Sequence, residues 1–114
     1  MPTYVAERGE WFAGNIFTNP ADGDILVDTG ALGQGNFLVA VVGAANAAWV
    51  YDVQQRNAAN TANIDSQRRR PASGNEDFPF PCKVFVTADE RFRVVLSGAV
   101  TGQIQASLFV LAVP

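Results

Sequence analysis

Three kinds of side chain in this sequence could do chemistry: paired carboxylates, a short run of arginines, and large aromatics. The carboxylate pairs are Glu76/Asp77 and Asp89/Glu90. Neighbouring carboxyls can divide acid and base roles when their environments push the two pKa values apart. Both pairs sit in turn-like stretches among polar or charged neighbours, so the sequence predicts solvated acids. Asp22, Asp24 and Asp28 have the alternating spacing of calcium ligands. A calcium loop opening at Asp22 would need Glu at its twelfth position, where this chain has Gly33. There is no histidine, so Ser-His-Asp and Cys-His nucleophiles and His-based metal sites are excluded. Gly30, Gly33 and Gly35 lead into an apolar strand pattern, not a helix, so they are not a phosphate loop. The lone Cys82 excludes a disulfide or a cysteine-based zinc site within one chain and is expected to be a buried small residue. The expectation is a protein that is not an enzyme, with no cofactor and no metal.

The remaining chemistry is recognition. Arg68, Arg69 and Arg70 form the one basic run, which suits a solvated edge or a contact with an acidic neighbour. The chain carries a net charge of −3, and no aromatics interleave the run, so nucleic acid is not an expected partner. Trp11, Trp49 and Tyr51 could stack on sugars or fill a core. No stretch has the length and apolarity of a membrane helix, and the N-terminal residues do not resemble a signal peptide.

These residues must be positioned by strands. The chain is 114 residues long and 48% hydrophobic, enough for one folded domain. Residues 90–97 alternate, with Phe92, Val94 and Leu96 on one face and Arg91, Arg93 and Ser97 on the other. Residues 103–108 alternate likewise, but Phe109, Leu111 and Val113 are apolar where polar residues are due. This period of two marks half-buried strands, and the two are expected to form a closing hairpin through residues 98–102. The failure of alternation after Ser107 predicts cover on both faces, by the second sheet and by another subunit. Residues 36–44 are apolar on both faces. Residues 47–56 place Trp49, Tyr51 and Val53 together, residues 57–63 read as a loop, and residues 64–70 read as a polar edge strand. Residues 71–77 read as a loop, followed by a proline-rich entry into a strand at 83–87. The sum is an all-β, single-domain antiparallel β-sandwich of jelly-roll type with seven or eight short strands. Residues 1–20 form an aromatic arm or short strands, and residues 21–114 form the sandwich.

Several runs, in order, resemble small β-sandwich structural proteins of tailed bacteriophages. They are Asp-Thr-Gly-Ala-Leu-Gly-Gln-Gly-Asn-Phe from Asp28, Gln-Arg-Asn-Ala-Ala-Asn-Thr-Ala-Asn-Ile from Gln55, Asp-Glu-Arg-Phe-Arg-Val-Val from Asp89, and Thr-Gly-Gln-Ile-Gln-Ala-Ser-Leu-Phe from Thr101. The resemblance implies a head decoration (cement) or minor capsid protein. Such a protein is made in the host cytoplasm and resides on the virion head surface. It acts as a homo-oligomer, often a trimer, bound to the major capsid protein. No catalytic residues carry over, and the aromatic segment from Tyr4 to Phe17 departs from the family pattern. Interfaces rest on apolar and arginine anchors, so the candidate contact residues are Trp11, Phe12, Arg68, Arg69, Arg70, Phe109 and Leu111. The alternatives are a glycan- or receptor-binding module of a fibre or spike, using Trp11, Trp49 and Tyr51, and a neck or tail subunit.

Overall fold

The structure is a computed structural model and describes residues 9–114. Tyr4 and the start of the expected N-terminal arm lie outside the described residues. Every described element is a strand, and every strand pairing is antiparallel. Sheet A has the order β1 (Gly9–Ala13), β10 (Gln103–Val113), β4 (Gly35–Ala45), β7 (Gly74–Pro79). Two short strands extend it, β2 (Phe17–Thr18) on β10 and β8 (Val84–Val86) on β4. Sheet B has the order β3 (Ile25–Asp28), β9 (Arg91–Leu96), β5 (Tyr51–Arg56), β6 (Asn63–Arg69). Apart from β2 and β8, the strands pair as 1 with 10, 3 with 9, 4 with 7 and 5 with 6. That is a two-ply ribbon folded at the β5–β6 turn and wrapped so that its halves alternate between sheets, the jelly-roll arrangement. The ten strands are these eight plus the two short additions.

Alternation explains the core. Phe92, Val94 and Leu96 face Ile104, Ala106, Leu108 and Val110, all buried, with Tyr51 and Val53 beside them. Each large apolar side chain so buried contributes about 1.5–3 kcal/mol, against ~0–1 kcal/mol for an exposed ion pair. Core packing, and not surface charge, therefore holds the sheets together.

One polar cluster also crosses between the sheets. Glu76 of β7 is 6% exposed. It accepts a hydrogen bond from the Tyr51 hydroxyl at 2.9 Å and others from Arg69 Nε at 3.2 Å and Nη2 at 3.4 Å. Arg69 lies 4.4 Å over the Phe78 ring. A buried carboxylate persists only when paired in this way. Burial, followed by the bond to Glu76, drives the Tyr51 phenol well above the usual tyrosine range.

Several expectations change. Residues 90–113 are not a hairpin: β9 and β10 lie in different sheets and residues 98–102 arch between them. Gly98 and Gly102 take φ of 88° and 120° there, values that favour glycine. Their N–H groups donate to Asp22 Oδ1 at 2.7 Å and Asn19 Oδ1 at 2.8 Å. The alternation reports burial, not which strand is the partner. Residues 74–77 are strand, not loop, and Glu76 is buried, because the Tyr51 and Arg69 partners lie on strands of the other sheet. The strand expected from residue 47 begins at Tyr51. Cys82 is exposed, since it sits in the bend between β7 and β8 and not within either strand.

Gly14 marks the tightest crossing. A Cβ there would press on the Ala106 carbonyl oxygen of β10 and come within 2.6 Å of the Leu26 carbonyl oxygen of β3. Both are backbone atoms and cannot step aside. Gly14→Ala is expected to destabilise the fold by about 1–3 kcal/mol or more, lowering the urea midpoint with an unchanged slope.

Candidate functional site

The two sheets present opposite chemistry to solvent. On the outer face of sheet A, cross-strand register aligns Trp11 with Phe109, Ala40 and Pro79 in one row, and Gly9 with Leu111 and Leu38 in the next. Val113, Asn36 and Phe85 form a further row towards the end of β10. Trp11 is 60% exposed, Leu38 40% and Phe85 56%. The Trp11 and Phe109 ring centroids lie 4.9 Å apart at an interplanar angle of 53°. Phe109 also covers Gly9 so closely that a Cβ there would collide with its ring. Phe109 is therefore half-buried by its own chain, while Trp11, Leu38 and Phe85 stay open.

The sequence-derived contact residues separate into three groups. Trp11, Phe109 and Leu111 come together on this outer face. Phe12 points the other way, opposite Leu108, and packs against the core. Arg68 and Arg69 are in sheet B on opposite faces of β6, and exposed Arg70 follows the strand end. Arg68 makes a two-pronged contact with Asp52, at 2.9 Å and 3.0 Å. That carboxylate raises the Arg68 pKa, and Glu76 raises that of Arg69. The arginine run therefore does not act as one patch. Trp49 and Tyr51 are buried against each other, their centroids 4.8 Å apart, so neither can stack on a sugar. Sequence reasoning missed Leu38 and Phe85 as contact residues. The run at 36–44, apolar on both faces, was the signal for Leu38, whereas Phe85 depended on knowing that β8 pairs with β4.

The outer face of sheet B is mainly polar, although Ile25 of β3 and Ile64 of β6 are exposed. Asp52, Gln54 and Arg56 of β5 stand beside Val95, Arg93 and Arg91 of β9. Arg93 Nε donates to Gln54 Oε1 at 2.7 Å, and Arg91 reaches Asp28 at 3.8 Å. Partial burial, then the Arg56 charge, lowers the Arg93 pKa, with Arg91 adding to the effect and Asp28 opposing it.

An open groove of about 200 Å³ lies where β10 meets β4, near Ile16, Asn46, Gln103 and Gln105. Two of its amides are already engaged: Asn46 Oδ1 accepts from Gln103 N at 2.8 Å, and Gln105 Nε2 donates to Gly14 O at 3.1 Å. Among the described residues no group of His, Cys, Asp or Glu is arranged to hold a metal ion.

No family model and no curated protein matches the chain. Among solved structures, it is similar to BiXyn10A CBM1 in its apo form, at 9% identity and a TM-score of 0.57, covering 95% of this chain and 99% of that one. It also aligns with a chain from the structure of infectious bursal disease virus, Gx strain, at 12% identity and a TM-score of 0.43, covering 92% of this chain and 32% of that one. At such identities the first similarity is one of fold alone. The chain is a β-sandwich.

Glu90 opens the strand that carries Arg91 and Arg93. Its Oε1 accepts from Thr87 N at 2.9 Å and from Gln55 Nε2 at 3.1 Å. Burial alone would raise its pKa, but the Thr87 and Gln55 hydrogen bonds outweigh burial and hold it below the usual 4.5. A depressed folded-state pKa gives stability that is present above the unfolded value and lost as pH falls through the folded one. The melting temperature should therefore drop as pH falls below about 4.5, and drop less steeply in Glu90→Gln, as read by circular dichroism melts across that range.

Proposed function

We propose that this chain is a structural virion protein, a decoration subunit that associates with copies of itself and binds the phage head through the outer face of sheet A. The observation that carries this reading is the continuous apolar face around the Trp11–Phe109 pair. Contiguous apolar surface of this kind is characteristic of interaction sites. The two eleven-residue strands at about 3.3 Å per residue, spaced about 4.8 Å apart, give roughly 350 Å² in projection, and β1, β7 and β8 widen the face on either side. A stable interface takes ~800 Å² per partner, so this face supplies its centre and neighbouring surface the rest. The jelly roll is an architecture used by viral capsid and lectin domains, and the sequence runs from Asp28 onward resemble phage head proteins. The proposed partners are further copies, in a trimer, and the major capsid protein.

The second reading is a glycan-binding module, supported by the open Trp11 ring and by the likeness in fold to BiXyn10A CBM1. Of Trp11, Trp49 and Tyr51, Trp11 alone is free to stack.

One double variant, set against the wild-type chain, separates these readings. Light scattering should find the wild-type chain oligomeric at micromolar concentration and Trp11→Ser/Leu38→Ser monomeric with an unchanged circular dichroism spectrum. The double variant should also bind purified heads at least tenfold more weakly, since central aromatic anchors dominate interfaces. A wild-type monomer that leaves heads unbound, but whose tryptophan fluorescence responds to a glycan, would replace the first reading with the second. A closed ring larger than a trimer would instead point to a neck or tail joint.

A further inference from the structure

The basic side of sheet B has no role in a decoration subunit that binds through sheet A. We propose that Arg56, Arg91 and Arg93 form an oxyanion-binding site that takes a phosphate, sulfate or carboxylate group.

Register brings the three together. Arg56 and Arg91 are direct cross-strand partners, and Arg93 lies two residues further along the same face of β9. Directly opposed side chains on paired strands have Cβ atoms about 4.5–5.5 Å apart, and like charges placed so are destabilising. The chain as a whole is acidic, so nothing in its overall charge calls for this cost. Elsewhere on the same face the charge is neutralised, since Arg68 has Asp52 at hydrogen-bond distance. The cluster has one carboxylate for three guanidiniums, Asp28, which lies 3.8 Å from Arg91 and directly across from Arg93 on β3. The oxygen of Asp28 that faces Arg91 also accepts the Gly30 N–H at 2.7 Å.

The guanidinium groups are nonetheless held in place. Arg56 is fixed by neutral acceptors: Asn60 Oδ1 at 3.0 Å, Asn63 Oδ1 at 2.8 Å and Asn60 O at 3.0 Å. Arg93 is fixed by Gln54 through Nε, leaving its terminal nitrogens uncommitted among the described residues. Arg91 Nε is shielded from solvent and has no acceptor among the described residues. The face thus combines ordered cations, uncommitted terminal nitrogens on Arg93 and a shortage of negative charge. The depressed pKa of Arg93 has the same origin in part. An oxyanion seated on the terminal nitrogens of Arg93 offsets the charge of all three guanidiniums, and the planar fork of arginine matches it with paired N–H donors; Arg91 Nε, closed to solvent, is not one of its contacts.

The test is a titration of ¹⁵N-labelled full chain, reading the arginine Nε–H resonances at constant ionic strength set with chloride. One arm uses inorganic phosphate and the other a triglutamate peptide. Saturable shifts at Arg91 and Arg93 in the millimolar range, absent at Arg68, are expected in at least one arm. Saturation by phosphate alone identifies a small inorganic-type oxyanion, and saturation by the peptide identifies an acidic protein segment. Arg91→Gln/Arg93→Gln should weaken binding by about tenfold or more. Arg91→Lys, which keeps the charge but loses the fork, should fall between. Unsaturable drift in both arms, or equal shifts at Arg68, would overturn the site.

Discussion

The ladder between β4 and β10 is the constraint on which the rest depends. Ten consecutive cross-strand partners run from Ile104/Ala45 to Val113/Asn36. Because side chains alternate, this register decides at once which residues enter the core and which face outward. A slip of one residue would carry Leu108 and Val110 to the surface and Phe109 and Leu111 inward. The apolar outer face and the packed inner face are therefore two readings of one register. β1 and β2 attach to one side of that ladder and β7 and β8 to the other, so every residue of the proposed contact surface takes its position from it.

The second sheet depends on a different balance. Its inner face is held by apolar packing and by the Tyr51–Glu76–Arg69 cluster, in which a buried carboxylate is matched by two donors from the opposite sheet. Removing either donor leaves buried charge less well paired, so the cluster ties β6 to β7 more specifically than apolar contact can. Its outer face is a mainly polar lattice in which Arg56 and Arg93 are oriented by neutral amides and Arg68 and Arg91 by Asp52 and Asp28. The molecule thereby concentrates its aromatic exposed surface on sheet A and its arginines on sheet B, with an acidic chain overall.

Much of the fold was legible because period-two alternation survives wherever one face is buried. Phe92, Val94 and Leu96 illustrate this, and so does the breakdown of alternation at Phe109. Partner choice was not legible. Residues 90–97 and 103–113 are adjacent, alternating and joined by glycines, which suits a hairpin and an inter-sheet arch equally well. The arch is selected by partners far away in sequence, β3 and β5 for one strand and β1 and β4 for the other, with the Asp22 and Asn19 side chains holding its glycines. The same limit hid the Glu76 cluster and the Arg56/Arg91 pairing, since each joins strands distant in the chain. The arginine run lies on an exposed edge strand, and it is not a single patch for a local reason: consecutive strand residues point to opposite faces, so Arg68 and Arg69 cannot share a site.

The pairing of β1 with β10 joins residues 9–13 to residues 107–111, nearly the full length of the chain. During synthesis β1 must wait for residues 107–111 before it has a partner. Such distant closure is slow to form, and Trp11 and Phe12 stay without a sheet until then. The platform that joins Trp11 to Phe109 consequently comes into being only once β10 has been made: a chain cut short of β10 has the tryptophan but no apolar face around it.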